Sequence, residues 1–75
     1  MDKLDLHGMR HSEVERVVEN FVLLNEPPLE IITGNSERMR SIVQKVLKSY
    51  QFNYYRKCHT NFGSIIVIGY NIDET

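Results

Sequence analysis

Leu4-Asp5-Leu6-His7-Gly8 places a carboxylate and an imidazole two residues apart. In an extended chain residues i and i+2 project to the same side, so Asp5 and His7 share one face and Leu4 and Leu6 the other. A carboxylate beside an imidazole holds the ring's orientation and tautomer and raises its basicity. The ring then serves as general base or acid. The same pair can instead offer donors to a divalent metal, Mg²⁺ or Mn²⁺, with Asp5 and His7 as the ligands. The plain alternative is an edge strand whose polar residues face water.

A second set is Thr33-Gly34-Asn35-Ser36, a polar turn between an apolar run and a helical pattern, with Arg38 and Arg40 close behind. Free backbone N–H groups and the positive end of a helix dipole favour an anion at such a junction. Gly34 lets that anion approach the backbone, and Arg38 and Arg40 add charge. This is not a Walker A loop, because the spacing and the lysine are missing. The alternative is an ordinary N-cap by Asn35 or Ser36. A third set, Tyr54-Tyr55-Arg56-Lys57, mixes aromatic and basic residues as single-strand binders do. Strand alternation sends one tyrosine inward and one outward. His59 and Phe62 follow on what reads as a hairpin tip. Arg10, His11 and Lys45 complete the candidates for phosphate contact, with His11 also readable as a surface-loop residue.

Periodicity supplies the elements that must position these groups. Lys3 to His7 alternates as a half-buried strand, and Gly8 ends it. Ser12-Glu13-Val14-Glu15 has the form of a capping box, followed by Val14, Val17, Val18, Phe21 and Val22 at helical spacing. Pro27-Pro28 stops the helix. Leu29 to Thr33 reads as a second strand, and a second helix runs from about Glu37 to Tyr50. Its apolar face is Met39, Ile42, Val43, Val46, Leu47 and Tyr50. Phe52 to Cys58 is strand-like. His59 to Gly63 reads as a hairpin loop, with Gly63 free to take positive φ. Ser64 to Tyr70 is a nearly continuous apolar strand, as expected of one buried on both faces. Asn71 to Thr75 reads as a frayed polar tail.

The predicted order is β-α-β-α-β-β over a single domain, residues 1–75. It predicts a two-layer α/β (α+β) sandwich, a mixed four-stranded sheet covered by two helices. Right-handed strand–helix–strand crossovers predict that the first three strands are parallel neighbours, with the last antiparallel through its hairpin. In a parallel pair the carboxyl ends open on one edge, where ligands bind. His7-Gly8 and Thr33-Gly34 would then meet, bringing an acid, an imidazole and an anion cradle together.

Composition sets limits. A chain of 75 residues, 41% hydrophobic and 25% charged, is ordinary for a small globular domain and too apolar for a disordered one. The one cysteine, Cys58, excludes an internal disulfide and a cysteine-based zinc site. No basic-then-apolar leader opens the sequence, and the expected compartment is the cytoplasm. The net charge of −1 hides an asymmetry. Lys3, Arg10 and Arg16 stand against seven acids in residues 1–30. Arg38, Arg40, Lys45, Lys48, Arg56 and Lys57 stand against Glu37 alone in residues 31–72. A local basic face can attract a polyanion where the net charge cannot.

Leu4-Asp5-Leu6-His7-Gly8 followed by an amphipathic helix resembles the opening of the small MutS-related (Smr) domain. Thr33-Gly34, the helix from Glu37 and the glycine before the last strand match that family's order over almost the whole chain. The second glycine of its TGxG turn is Ser36 here. The resemblance implies a fold similar to the C-terminal domain of bacterial translation initiation factor three. It also implies a nucleic-acid-binding domain, in many members an endonuclease that nicks DNA or cleaves RNA, with the acidic-histidine motif on Asp5 and His7 and the glycine turn on Thr33 and Gly34. The alternatives are a nucleic-acid-binding module without catalysis and a protein-interaction domain using the acidic helix of Glu13, Glu15 and Glu19.

Overall fold

The computed structural model describes residues 1–58 and 63–70. The chain forms β1 (Asp2–Asp5), α1 (His11–Leu24), β2 (Leu29–Ile32), α2 (Glu37–Ser49), β3 (Phe52–Cys58) and β4 (Gly63–Tyr70). The expected β-α-β-α-β-β order and the mixed four-stranded sheet with two helices are both present. The expected hairpin loop and tail, including His59 and Phe62, lie outside the described residues. Among the described residues no helix is long and apolar enough to cross a membrane.

The strand order is β1-β2-β4-β3. β1 and β2 run parallel, with Asp5 opposite Ile32. The expectation of three parallel neighbours is corrected here. β4 is antiparallel to both β2 and β3, so β3 runs the same way as β2 but is not beside it. β4 inserts between them because its apolar run, Gly63 to Val67, is the segment able to be buried from both sides. The exposed end of that strand, Ile68 to Tyr70, follows a register shift opposite Asn53 and Tyr54.

Alternation divides the sheet. Leu29, Ile31, Ile65 and Val67 turn to the helical layer and are fully buried. Val14, Val18 and Val22 of α1 and Met39, Val43, Val46 and Leu47 of α2 complete one core with Leu6 and Phe52. The i, i+4 valines of α1 form the stripe that an amphipathic helix buries. Tyr54 packs against this core while Tyr55 is 52% exposed, so the inward–outward split of the two tyrosines holds.

Two local expectations change. α1 starts at His11, with Arg10 as N-cap and no side-chain cap bond, so Ser12 lies inside the first turn and the capping box does not form. The cause is the turn before it. Met9 N–H donates to the Leu6 carbonyl at 3.0 Å, and Gly8 takes φ +80°. A positive φ at the third position of a four-residue turn is the type II signature. It reverses the chain early enough for His11 to become helical. Gly63, in turn, is not a loop glycine with positive φ but the first residue of β4, buried and paired with Cys58.

Candidate functional site

The parallel register of β1 and β2 sets the ends of both strands on one edge. Leu6 N–H continues the pairing by donating to the Ile32 carbonyl at 2.9 Å. Beyond that bond the two chains diverge into the His7-Gly8 turn and the Thr33–Ser36 turn. The edge also receives Arg10 and His11 at the start of α1 and Glu37 and Arg38 at the start of α2. The predicted meeting of the first two sets is a feature of the fold.

The link between Asp5 and His7 differs from the expected one. β1 ends at Asp5, and His7 sits in the type II turn instead of sharing a strand face with it. Asp5 Oδ1 accepts from the His7 backbone N–H at 2.9 Å. The carboxylate therefore braces the turn that carries His7, as aspartates commonly do two residues ahead in a turn. Both residues are exposed. Among the described residues the ion pairs join Glu37 to Arg40 and Arg56, and none joins Asp5 to the imidazole. The two do not amount to a Mg²⁺ or Mn²⁺ cage either. Among the described residues no three His, Cys, Asp or Glu side chains gather around one point.

The glycine turn is strongly braced. The Gly63 carbonyl accepts from both the Thr33 and Gly34 N–H groups, each at 3.1 Å, and from Thr33 Oγ1 at 3.3 Å. Gly34 takes φ +71°, which an L side chain resists. Its own carbonyl accepts from Arg40 Nη1 at 2.9 Å. Gly63 explains itself here. A Cβ on it would lie 3.1 Å from Arg40 Nη1 and 3.3 Å from the Gly34 carbonyl oxygen. Its role is room for a guanidinium, which a loop reading of the sequence does not suggest. The Gly34 N–H is thus committed to the sheet and does not face an anion. Ser36 is the N-cap of α2, its Oγ accepting from Met39 N–H at 3.1 Å.

The arginines divide. Arg40 is a strut under the turn: its side chain is 12% exposed and its Nη2 donates to Glu37 Oε2 at 2.6 Å. Its Nε is buried and has no hydrogen-bond partner among the described residues. Arg56 turns toward α2 and reaches the same Glu37 oxygen at 3.7 Å. Lys57, its neighbour on β3, projects to the opposite, helix-free face, opposite Ser64. Arg38, Lys45 and Lys48 are exposed on the outer side of α2. At 1.5 Å rise per residue they span about 15 Å of helix, and at i, i+7 and i+10 they fall on one stripe. The Arg40 hydrogen bond, and then the charges of Arg40 and Arg56, hold the Glu37 carboxyl below its usual range. Sequence reasoning missed Glu37. Its signal was its isolation, as the one acid in a basic half.

Compared with protein-family models, curated proteins and solved structures, the chain matches none of them.

Proposed function

We propose that this chain is a nucleic-acid-binding domain whose backbone-binding surface is the edge at the ends of β1 and β2 together with the outer face of α2. One observation carries the reading. The parallel pairing of Asp5 with Ile32 gathers Arg10, His11 and Arg38 at one edge, and Lys45 and Lys48 extend the Arg38 charge along α2. A phosphodiester chain would run along α2 and cross the two turns. Affinity would then come from counterion release and fall steeply with salt. The acidic α1 would lie away from the strand and orient it.

His7 favours a second reading, cleavage of RNA. Its ring is exposed on a turn braced by Asp5, at the edge where the backbone would cross. A neutral imidazole there can take the proton from a ribose 2′-OH. The 2′-oxygen attacks its own phosphorus, the bond to the 5′-oxygen breaks, and that oxygen takes a proton as it leaves. Asp5 acts by holding the turn. Arg38 is the cation exposed at that edge to meet developing charge, since in the free protein Arg40 is paired with Glu37 and the Gly34 N–H with the Gly63 carbonyl.

The test separates the two readings. Wild type, His7→Ala and Arg38→Ala/Lys45→Ala/Lys48→Ala are assayed for binding and cleavage of single-stranded RNA, single-stranded DNA and supercoiled DNA, each with Mg²⁺ and with a chelator. His7→Ala keeps the backbone bond to Asp5 and removes only the ring. Salt-dependent binding that collapses in the triple variant supports the binding surface. Chelator-resistant cleavage of RNA lost in His7→Ala supports the cleavage reading. Absence of binding by wild type at low salt overturns both.

A further inference from the structure

Glu37 is the only acid between Ile31 and Ile72, and the fold sets it where two arginines converge. Arg40 comes from α2 and Arg56 from β3, and both guanidinium groups address Glu37 Oε2, at 2.6 and 3.7 Å. Arg40 is held from behind by the Gly34 carbonyl, which leaves its Nη2 aimed outward at Glu37. The three groups form a graded set. Arg40 is 12% exposed, Arg56 47% and Glu37 78%. The carboxylate is the outermost member, so it can swing into water with little loss, as exposed ion pairs do. The arginines would stay in place.

Two guanidinium groups from different elements, facing the same point at a helix N-terminus, suit an oxyanion with several oxygens better than a single carboxylate oxygen. One carboxylate oxygen serves both, and the Arg56 contact at 3.7 Å is too long for a hydrogen bond. A phosphate, with more oxygens, can give each guanidinium its own acceptor. Glu37 also neutralises the basic half at the point nearest Arg38, where a backbone would enter.

We propose that Arg40 and Arg56 form a phosphate subsite which Glu37 occupies in the free protein and vacates when a nucleic-acid backbone binds. The proposal rests on the nucleic-acid reading for the source of the phosphate. The carboxylate then acts as an internal competitor. It lowers affinity for any phosphate chain and keeps the arginines ordered until one arrives.

The test is Glu37→Gln. Glutamine keeps an acceptor for Arg40 but gives up the charge. Binding of a single-stranded oligonucleotide is measured across a salt series, and inorganic phosphate is titrated while the arginine side-chain NMR signals of Arg40 and Arg56 are followed. Thermal unfolding of each variant checks the fold. The expected result is roughly two- to fivefold tighter oligonucleotide binding, the scale of one exposed ion pair. The salt slope should steepen by ~0.7 for each guanidinium that gains a phosphate. Both gains should fall by about half in Glu37→Gln/Arg56→Gln, which keeps only the Arg40 contact. Phosphate should shift both arginine signals at lower concentration in Glu37→Gln than in wild type. Unchanged or weaker oligonucleotide binding in a folded Glu37→Gln protein, with wild type binding normally, overturns the subsite. Phosphate shifts on both arginines without any oligonucleotide binding support the subsite and overturn the nucleic-acid reading.

Discussion

Ser36 stands where the resemblance places a second glycine, and the structure assigns it a task that can be measured. Its Oγ accepts the Met39 N–H at 3.1 Å, one of the four donors that the first turn of α2 cannot satisfy internally. Met39 itself is buried at 4% exposure, so water is a poor substitute at that donor. Replacing a serine N-cap by alanine costs about 1 kcal/mol, whereas glycine loses only a few tenths, because the bare backbone admits water and adopts the cap conformation. For a domain of this size 1 kcal/mol corresponds to about 4–8 °C in melting temperature. Ser36→Ala should therefore melt about 4–8 °C below wild type, and Ser36→Gly about 1–3 °C below. The assay is thermal unfolding by circular dichroism at neutral pH, with reversibility checked. The same hydroxyl is turned onto its own helix, so it does not crowd a phosphate. Ser36→Gly should leave oligonucleotide affinity within about twofold, less than one exposed ion pair contributes. Equal melting temperatures for wild type and Ser36→Ala would refute the cap. A Ser36→Gly protein that binds tenfold tighter would show that the serine blocks an anion path.

Gly34 at φ +71° meets no atom within 4 Å of an added Cβ, so Gly34→Ala should suffer backbone strain without a clash, about 1–2 kcal/mol. Gly34→Asn should recover part of that loss, because asparagine tolerates the left-handed region; equal urea midpoints for the two variants would contradict this. Glu37 has its pKa lowered from 4.5 by Arg40 and Arg56, which gives a signed pH dependence. A carboxyl with a depressed folded-state pKa contributes stability above its unfolded value and loses it as pH falls through the folded value. The stability difference between wild type and Glu37→Gln should hold at pH 7 and shrink below about pH 4.5, as urea melts at pH 7, 5 and 3 would show. High salt should reduce it at every pH, because the group is exposed.

How far the chain could be read in advance depends on the range of the interaction involved. The two helices and four strands follow from local spacing: the valines of α1 at i, i+4, the β-branched run of β2 and the glycine and proline breaks between them. The identity of the edge was also legible, since a parallel pair must present both carboxyl ends together, and Asp5–His7 and Thr33–Gly34 each follow a strand. The inward Tyr54 and outward Tyr55 follow from alternation alone.

Contacts distant in sequence decided the rest. The apolar run of β4 marks it as a strand buried on both faces, but that it takes the place beside β2 and leaves β3 at the edge is decided by the nonlocal pairing of Leu29–Ile32 with Ser64–Val67. The strand around Asp5 ended two residues early because the Gly8 turn claimed His7, and a nonlocal bond from Leu6 to Ile32 marked the last paired residue. Gly63 carries no positive φ to announce it, and its need for a missing Cβ exists only once Arg40 and Gly34 are folded against it. The fate of the arginines is likewise tertiary. By sequence Arg38 and Arg40 are two equal cations near a turn, but helical spacing sends one to water and the other beneath the turn. Types and periods along a chain determine which groups can form elements and which edge they reach. Whether a given charge is free to meet a ligand depends on who else is close enough to neutralise it, and only the packed structure sets those distances.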